Sequence, residues 1–474
     1  MAVKNRLGTS LLLAGGLVVF GVFAYSFSLG RVGRFSLARG ARASGAAMAE
    51  VAVFFPDRAD WLDFRRGIAA CQRRGLVKPK EDAGDAFVVL TAKRGRAVRF
   101  AWHGVRGIRQ TRDEARRLLA SHSPPIAFVG SINTVLTAAL AEELRYSATA
   151  AKGKGERGGA QRPVLLVPWA TSVLSVDPER GPGPVALLDI DPGRTFRFCL
   201  DNQRQAELVV RCLADHEPNA LPERAYIVVD RNDPYSRDLA DAFHRAIQTV
   251  APHSEIVEQA EALAPTSASS LADSPSAEER NWADAVWRGA REAGQNAITW
   301  VVLPVQSEPA KRLVYALRSR ATSSVGEGPL RVVCGDALGL ETLLDLAGHR
   351  AFPLWCVSPA SAPGAGRLPG AEAADDMQIA AEIVASIVHS LDLPGPLPTD
   401  LRAALNALDL GPDDPSAFGR GLSFAASGER EGEALGHVLA VHPGRPEVLA
   451  YGLGADGKWS AAVPIRPVPV ARQP

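Results

Sequence analysis

Between residues 163 and 243 the chain twice sets a short, wholly apolar run directly ahead of a polar turn. Val164–Val167 leads into Pro168, Trp169, Ala170, Thr171 and Ser172, and residues 226–229 lead into Asp230, Asn232 and Asp233. Apolar runs of this length without alternation suit strands buried on both faces of a parallel sheet. Helical spacing follows at 205–213 and again after the second turn. Strand, turn and helix in this order point to doubly wound α/β sheets. Ligands of such sheets sit beyond the carboxyl ends of the strands, where these hydroxyls and carboxylates lie.

At 474 residues the chain is long enough for more than one lobe. Its 53 Lys and Arg against 52 Asp and Glu leave a net charge of +1, which gives no electrostatic footprint for nucleic acid. The five cysteines, Cys71, Cys199, Cys212, Cys334 and Cys356, include no C-x-x-C pair. They read as buried free thiols, with one disulfide open to a protein outside the cytoplasm. Nine histidines show no metal spacing, and G-x-x-x-x-G-K-[ST], G-x-S-x-G and H-E-x-x-H are absent. No metal, cofactor or catalytic residue is expected.

Residues 7–30 carry no charge, and Lys4 and Arg6 precede them. That length fits a membrane-spanning helix or a signal sequence. No small-x-small cleavage site follows closely, and the first cysteine is Cys71, so a lipoprotein is not indicated. The reading is an uncleaved signal anchor and tether over 1–49, with the body outside the cytoplasm. Arg31, Arg34, Arg39 and Arg42, behind the span, favour the opposite orientation.

Further along, a helix is expected at 61–74 and a strand pair at 87–91 and 97–102. A second helix, at 111–120, would open on a Thr111–Glu114 capping box. The strand at 126–130 ends in Ser131, Asn133 and Thr134, at the start of a helix. Unpaired N–H groups and short hydroxyls there suit an anion, and equally suit a helix cap. Strands at 298–303 and 330–334 end near Gln306 and at Asp336. A carboxylate at Asp336 enclosed in a cleft would need a cationic partner, which Arg331, a nearby Lys or a ligand ammonium would supply. Residues 352–357 read as a crossing between lobes, 375–391 as a long helix, and 436–463 as closing strands.

Three segments carry a resemblance: P-x-A-T-S at 168–172, F-R-x-x-x-D-N-x-x-Q-A at 196–206, and D-x-x-D-P-Y-S-x-D-L-A-x-x-F at 230–243. With their order and spacing, the chain resembles the type 1 periplasmic binding proteins over roughly 50–463. The branch is the one that binds leucine, isoleucine and valine, related to receptor ligand-binding domains. The resemblance implies two doubly wound Rossmann-like lobes joined by about three hinge crossings around a ligand cleft. The first lobe would take 50–198 and 358–430, the second 199–357 and 431–465. It implies that Ser131, Asn133 and Thr134 meet a ligand carboxylate, and that Ala170, Thr171 and Ser172 meet an amino-acid head group. Tyr235 would line the cleft from the second lobe, and Asp336, one carbon shorter than the usual glutamate, would take the ammonium. Trp169 departs from the small residue usual there, and either stacks on a planar ligand or packs the wall. Gln306 lies where an aromatic or Gly-rich turn is usual. The implied function is capture of an amino acid or related zwitterion outside the cytoplasm, for an ABC permease or a membrane signalling partner. The alternatives are a scaffold of this fold without a ligand, or an α/β enzyme with no local motif.

Overall fold

The computed structural model describes residues 48–131, 133–153, 162–175, 185–259, 275–294, 297–321, 330–348, 351–358, 375–393, 401–411, 413–418, 421–431, 436–454 and 457–466. The expected anchor at 7–30 lies outside the described residues. Among them no helix is long and apolar enough to cross a membrane.

Two separate sheets carry the chain. The first has seven strands, in the order Lys78–Asp82, Phe87–Thr91, Ala97–Gly104, Ala49–Phe55, Ala127–Val129, Val164–Val167 and Thr195–Arg197. Its last five strands run parallel, and the first two pair antiparallel. Ala49–Phe55 is central and shows how the sheet is buried. Val51, Val53 and Phe55 face the helices Arg58–Arg73 and Asp375–Asp392, while Ala52 and Phe54 face Ile108–Leu119 and Thr134–Gly153. Such period-two alternation, apolar on both sides, is the buried parallel strand expected of the sequence. Gly67 lets two helices close on each other: a Cβ there would lie 2.8 Å from the backbone of Met377 and of Ala381.

The second sheet has eight strands, in the order Glu255–Gln259, Arg224–Val228, Thr299–Leu303, Leu330–Cys334, Leu354–Ser358, His437–Val441, Val448–Gly452 and Val463–Ile465. The first five are parallel and the rest antiparallel. One face packs on Ala277–Glu292 and Ser307–Arg320, the other on Asn202–His216 and Pro234–Val250.

Several boundaries differ from expectation. Residues 352–357 are not a crossing: Leu354–Ser358 is a fully buried strand paired on both sides. The helix expected at 111–120 begins at Ile108, and Gly107 caps it without a side chain. Glu114 instead bonds His103 and Arg117, so the capping box does not form. Lys78–Asp82 is an all-exposed edge strand with no apolar pattern to announce it. All five cysteines are free and buried.

Candidate functional site

The turn after Val164–Val167 meets the second sheet's helices through two connected residues. The Thr171 carbonyl accepts from the Asn202 backbone N–H at 2.9 Å. Asn202 opens the helix Asn202–His216, whose N-cap Asp201 accepts from Arg204 N, as its sequence predicts. Asn202 Nδ2 donates to the Tyr235 carbonyl at 3.4 Å and to Asp238 Oδ2 at 2.9 Å. The Tyr235 hydroxyl then donates to Asp336 Oδ1 at 2.8 Å. Thr171, Tyr235 and Asp336 therefore belong to one hydrogen-bonded chain that runs from the first sheet's turn to the second sheet's strand ends.

Tyr235 sits there because Pro234 occupies the first position of the helix Pro234–Val250, and Asp233 caps it by accepting from Tyr235 N at 3.1 Å. Gln306, exposed, donates to the same Asp233 at 2.9 Å, so it fixes the cap and stands one residue removed from Tyr235. Asp336 follows Gly335, where the fit is tight: a Cβ would lie 2.7 Å from Leu239 and 2.9 Å from Gln205 Oε1. Gln205 is fully buried and accepts from the Asp336 backbone N–H at 3.0 Å.

Asp238 holds the two sheets' elements together. Its Oδ2 accepts from Ser172 Oγ at 3.2 Å and from Val173 N at 2.8 Å, besides Asn202. Ser172 is thus committed to a side chain of the second sheet's helix. Beneath the turn, Arg197 is fully buried, donates to the Ser172 carbonyl at 3.1 Å and pairs with Glu429 at 3.0 Å.

The other expected residues serve local roles. Asn133 Oδ1 caps the helix Thr134–Gly153 by accepting from Val135 and Leu136, and Ser131 Oγ accepts from Asn133 N. Thr134 is buried beside them, at the same strand-end edge. Ala170 is buried in the first sheet's core. Trp169 packs its ring on Phe55, centroids 5.2 Å apart, as part of the wall.

The electrostatics of the cluster are acidic. Burial pushes the Asp336 carboxyl above the ordinary carboxylate range, against the hydrogen bonds from Tyr235 and its own amide. Burial likewise raises Asp238, opposed by Val173, Asn202 and Ser172, and raises Asp233, opposed by Gln306. Burial, then the Asp336 charge, holds the Tyr235 hydroxyl well above its usual range. Among the described residues Asp336 makes no ion pair. Asn202, Gln205 and Asp238 are part of the site although the sequence reading did not single them out. They lie inside two of the three segments that carry the resemblance, where a helix start hides them among ordinary capping residues.

His103 lies at the end of its strand in a groove of about 440 Å³ that also takes in Gln110, Asp113, Glu114 and Arg117. Its Nδ1 is 2.8 Å from Glu114 Oε1.

No protein-family model matches the sequence, and no curated protein matches it. Solved structures do. A leucine-, isoleucine-, valine-, threonine- and alanine-binding protein of Brucella ovis aligns with 89% of this chain and 95% of its own, with a TM-score of 0.57 at 13% identity. The fold is that of the type 1 periplasmic binding proteins. The branched-chain amino acid substrate-binding protein LivJ of Streptococcus pneumoniae, bound to isoleucine, aligns over 89% and 100% (TM-score 0.54, 13% identity). A solute-binding protein of an R. palustris ABC transporter, bound to benzoate, aligns over 89% and 98% (TM-score 0.54, 12% identity).

Proposed function

We propose that the protein is an extracytoplasmic solute-binding protein that takes a small ligand between its two lobes, for an ABC-type permease or a membrane signalling partner. The first lobe comprises 50–198 and 358–430, the second 199–357 and 431–465, and the apolar residues 7–30 tether them to the membrane. One observation carries the reading: among the described residues Asp336 is a half-buried carboxylate that makes no ion pair, linked to the first sheet's turn through Tyr235 and Asn202. A carboxylate withdrawn from water without a partner is costly, and a ligand with a positively charged head group relieves that cost. Thr171 and Tyr235 line the same head-group site. Ser131 and Thr134 stand at the neighbouring strand end, where a helix N-terminus meets the ligand's remainder.

Calorimetric titration of the full chain against amino acids, amides, amines and small carboxylates tests it. Saturable heat that Asp336→Asn removes supports the reading. Absence of saturable heat across the whole panel refutes it.

A further inference from the structure

We infer that the solute is a monocation rather than a zwitterion, with a primary ammonium beside an uncharged carbonyl, as in an α-amino amide. The inference rests on the solute-binding reading above and specifies the head group of that same site.

Two side-chain amides carry it. Asn202 and Gln205 are fully buried and lie three residues apart on one face of the helix Asn202–His216. Among the described residues, each has one end bonded to the acidic cluster and the other end without a partner. Asn202 Nδ2 is spent on Asp238 and the Tyr235 carbonyl, which leaves Oδ1 buried and unpaired. Gln205 Oε1 is spent on the Asp336 amide, which leaves Nε2 buried and unpaired. The bonded ends fix which atom is oxygen and which is nitrogen. Since each bonded end lies in the cluster, so does the orphaned end, only an amide's width away.

The cluster therefore offers an arriving head group two kinds of contact. Asp336 and Asn202 Oδ1 accept hydrogen bonds, beside the Thr171 turn whose carbonyl is bonded to the Asn202 amide. An ammonium brings three donors to such a set. Gln205 Nε2 donates one hydrogen bond and asks for an acceptor. Buried orphans of this kind are rare in folded proteins, and each is costly unless a partner completes it.

Charge selects the acceptor. Asp336, Asp238 and Asp233 belong to the cluster, and no ion pair joins any of them among the described residues. The nearby cation, Arg197, is already paired with Glu429 and bonded to the Ser172 carbonyl. A ligand carboxylate beside Gln205 would add a further negative charge to this group, whereas a carbonyl supplies the same lone pairs with no charge.

The test is a calorimetric comparison of matched pairs on the full chain: glycinamide, alaninamide, leucinamide and phenylalaninamide against the corresponding amino acids. At pH 6.5 the amines are protonated, since α-amino groups titrate at about 7.7–8.0. The expected result is that the best amide binds at least tenfold more tightly than its acid. Asp238→Asn, which removes one negative charge and keeps an acceptor for Val173 N, is expected to narrow that ratio. If an amino acid binds as tightly as its amide, or if benzoate binds, the inference is overturned while solute binding stands. If no acid, amide, amine or benzoate gives saturable heat, both fall.

Discussion

Glu382 and Arg430 are the most deeply buried ion pair described, with side-chain exposures of 0% and 1%. Arg430 also donates to the carbonyls of Phe198 and Gly421, and its own carbonyl accepts from Arg204 at 2.9 Å. The pair thus ties the helix Asp375–Asp392 to the segment where the chain leaves the first sheet. Replacing Glu382 by Gln keeps the shape and leaves the guanidinium charge buried without its counterion. Breaking a pair this buried costs about 3–5 kcal/mol. At roughly 2–4 °C per kcal/mol for a domain of about 200 residues, the melting temperature should fall by about 10 °C. Arg430→Met should cost a similar amount. The double variant Glu382→Gln/Arg430→Met, with no charge left to desolvate, should recover most of the loss. Urea unfolding followed by circular dichroism supplies the four free energies of the cycle. Single variants that lose less than about 1 kcal/mol, or a double variant no more stable than either single one, would refute the claim that uncompensated charge sets the cost.

Gly428 has φ 91°, and a Cβ there would fall 1.8 Å from the Thr195 carbonyl oxygen, against backbone that cannot yield. Gly428→Ala should therefore cost about 3 kcal/mol or more by urea unfolding; a loss under about 1 kcal/mol would show that the turn adapts. Asp336 is raised in the folded state by burial, so the stability linked to its protonation is full below the ordinary carboxylate range and lost as pH rises through the folded value. Melting curves of ligand-free Asp336→Asn should overtake those of the parent as pH rises to 8, and equal or lower stability there would contradict the burial argument. Glu114 has the opposite sign: bonds from Arg117 and His103 lower it from 4.5 to about 2. Its contribution should be present above about pH 4.5 and fade towards pH 2, and Glu114→Gln should flatten that part of the profile.

The architecture was legible because burial writes itself into the sequence. Val164–Val167 and 226–229 carry no charged residue, and only a doubly covered sheet can hide both faces of such runs. Leu354–Ser358 shows the limit of the same signal. Its apolar run suits a segment threading between lobes as well as it suits a central strand, and only pairing with His437–Val441 decides. Lys78–Asp82 has no apolar residue facing a core, so nothing in its composition marks it as a strand. At the site, Asp336 and Tyr235 were visible as polar residues at strand and helix ends. Their bond spans a sequence separation of 101 residues, which no local pattern encodes. Ser172 and Asn133 were visible for the same reason, but the structure commits one to Asp238 and the other to its own helix. A short polar side chain at a helix start satisfies the backbone or a ligand with the same chemistry, so spacing alone does not separate the two.

The contact at Asp238 bears on how such a cleft opens. Two of its three donors, Ser172 Oγ and Val173 N, come from the turn after a first-sheet strand, while Asp238 rides on a second-sheet helix. Parting the lobes at this point breaks both bonds. Hydrogen bonds to a charged group are worth about 1.5–3 kcal/mol each, and partial exposure brings the two together to roughly 3 kcal/mol. That bias alone favours the joined arrangement by about a hundredfold. On the proposed solute-binding reading, this carboxylate biases the two lobes towards the joined arrangement before any ligand arrives, and a ligand adds only its differential affinity for that state. Asp238→Ala should broaden the interlobe distance distribution of the ligand-free chain, read by spin labels at the exposed positions Arg109 and Arg245. It should also weaken ligand binding by the population lost from the joined state. An unchanged distribution in Asp238→Ala would show that packing near the crossing, not this carboxylate, holds the lobes together.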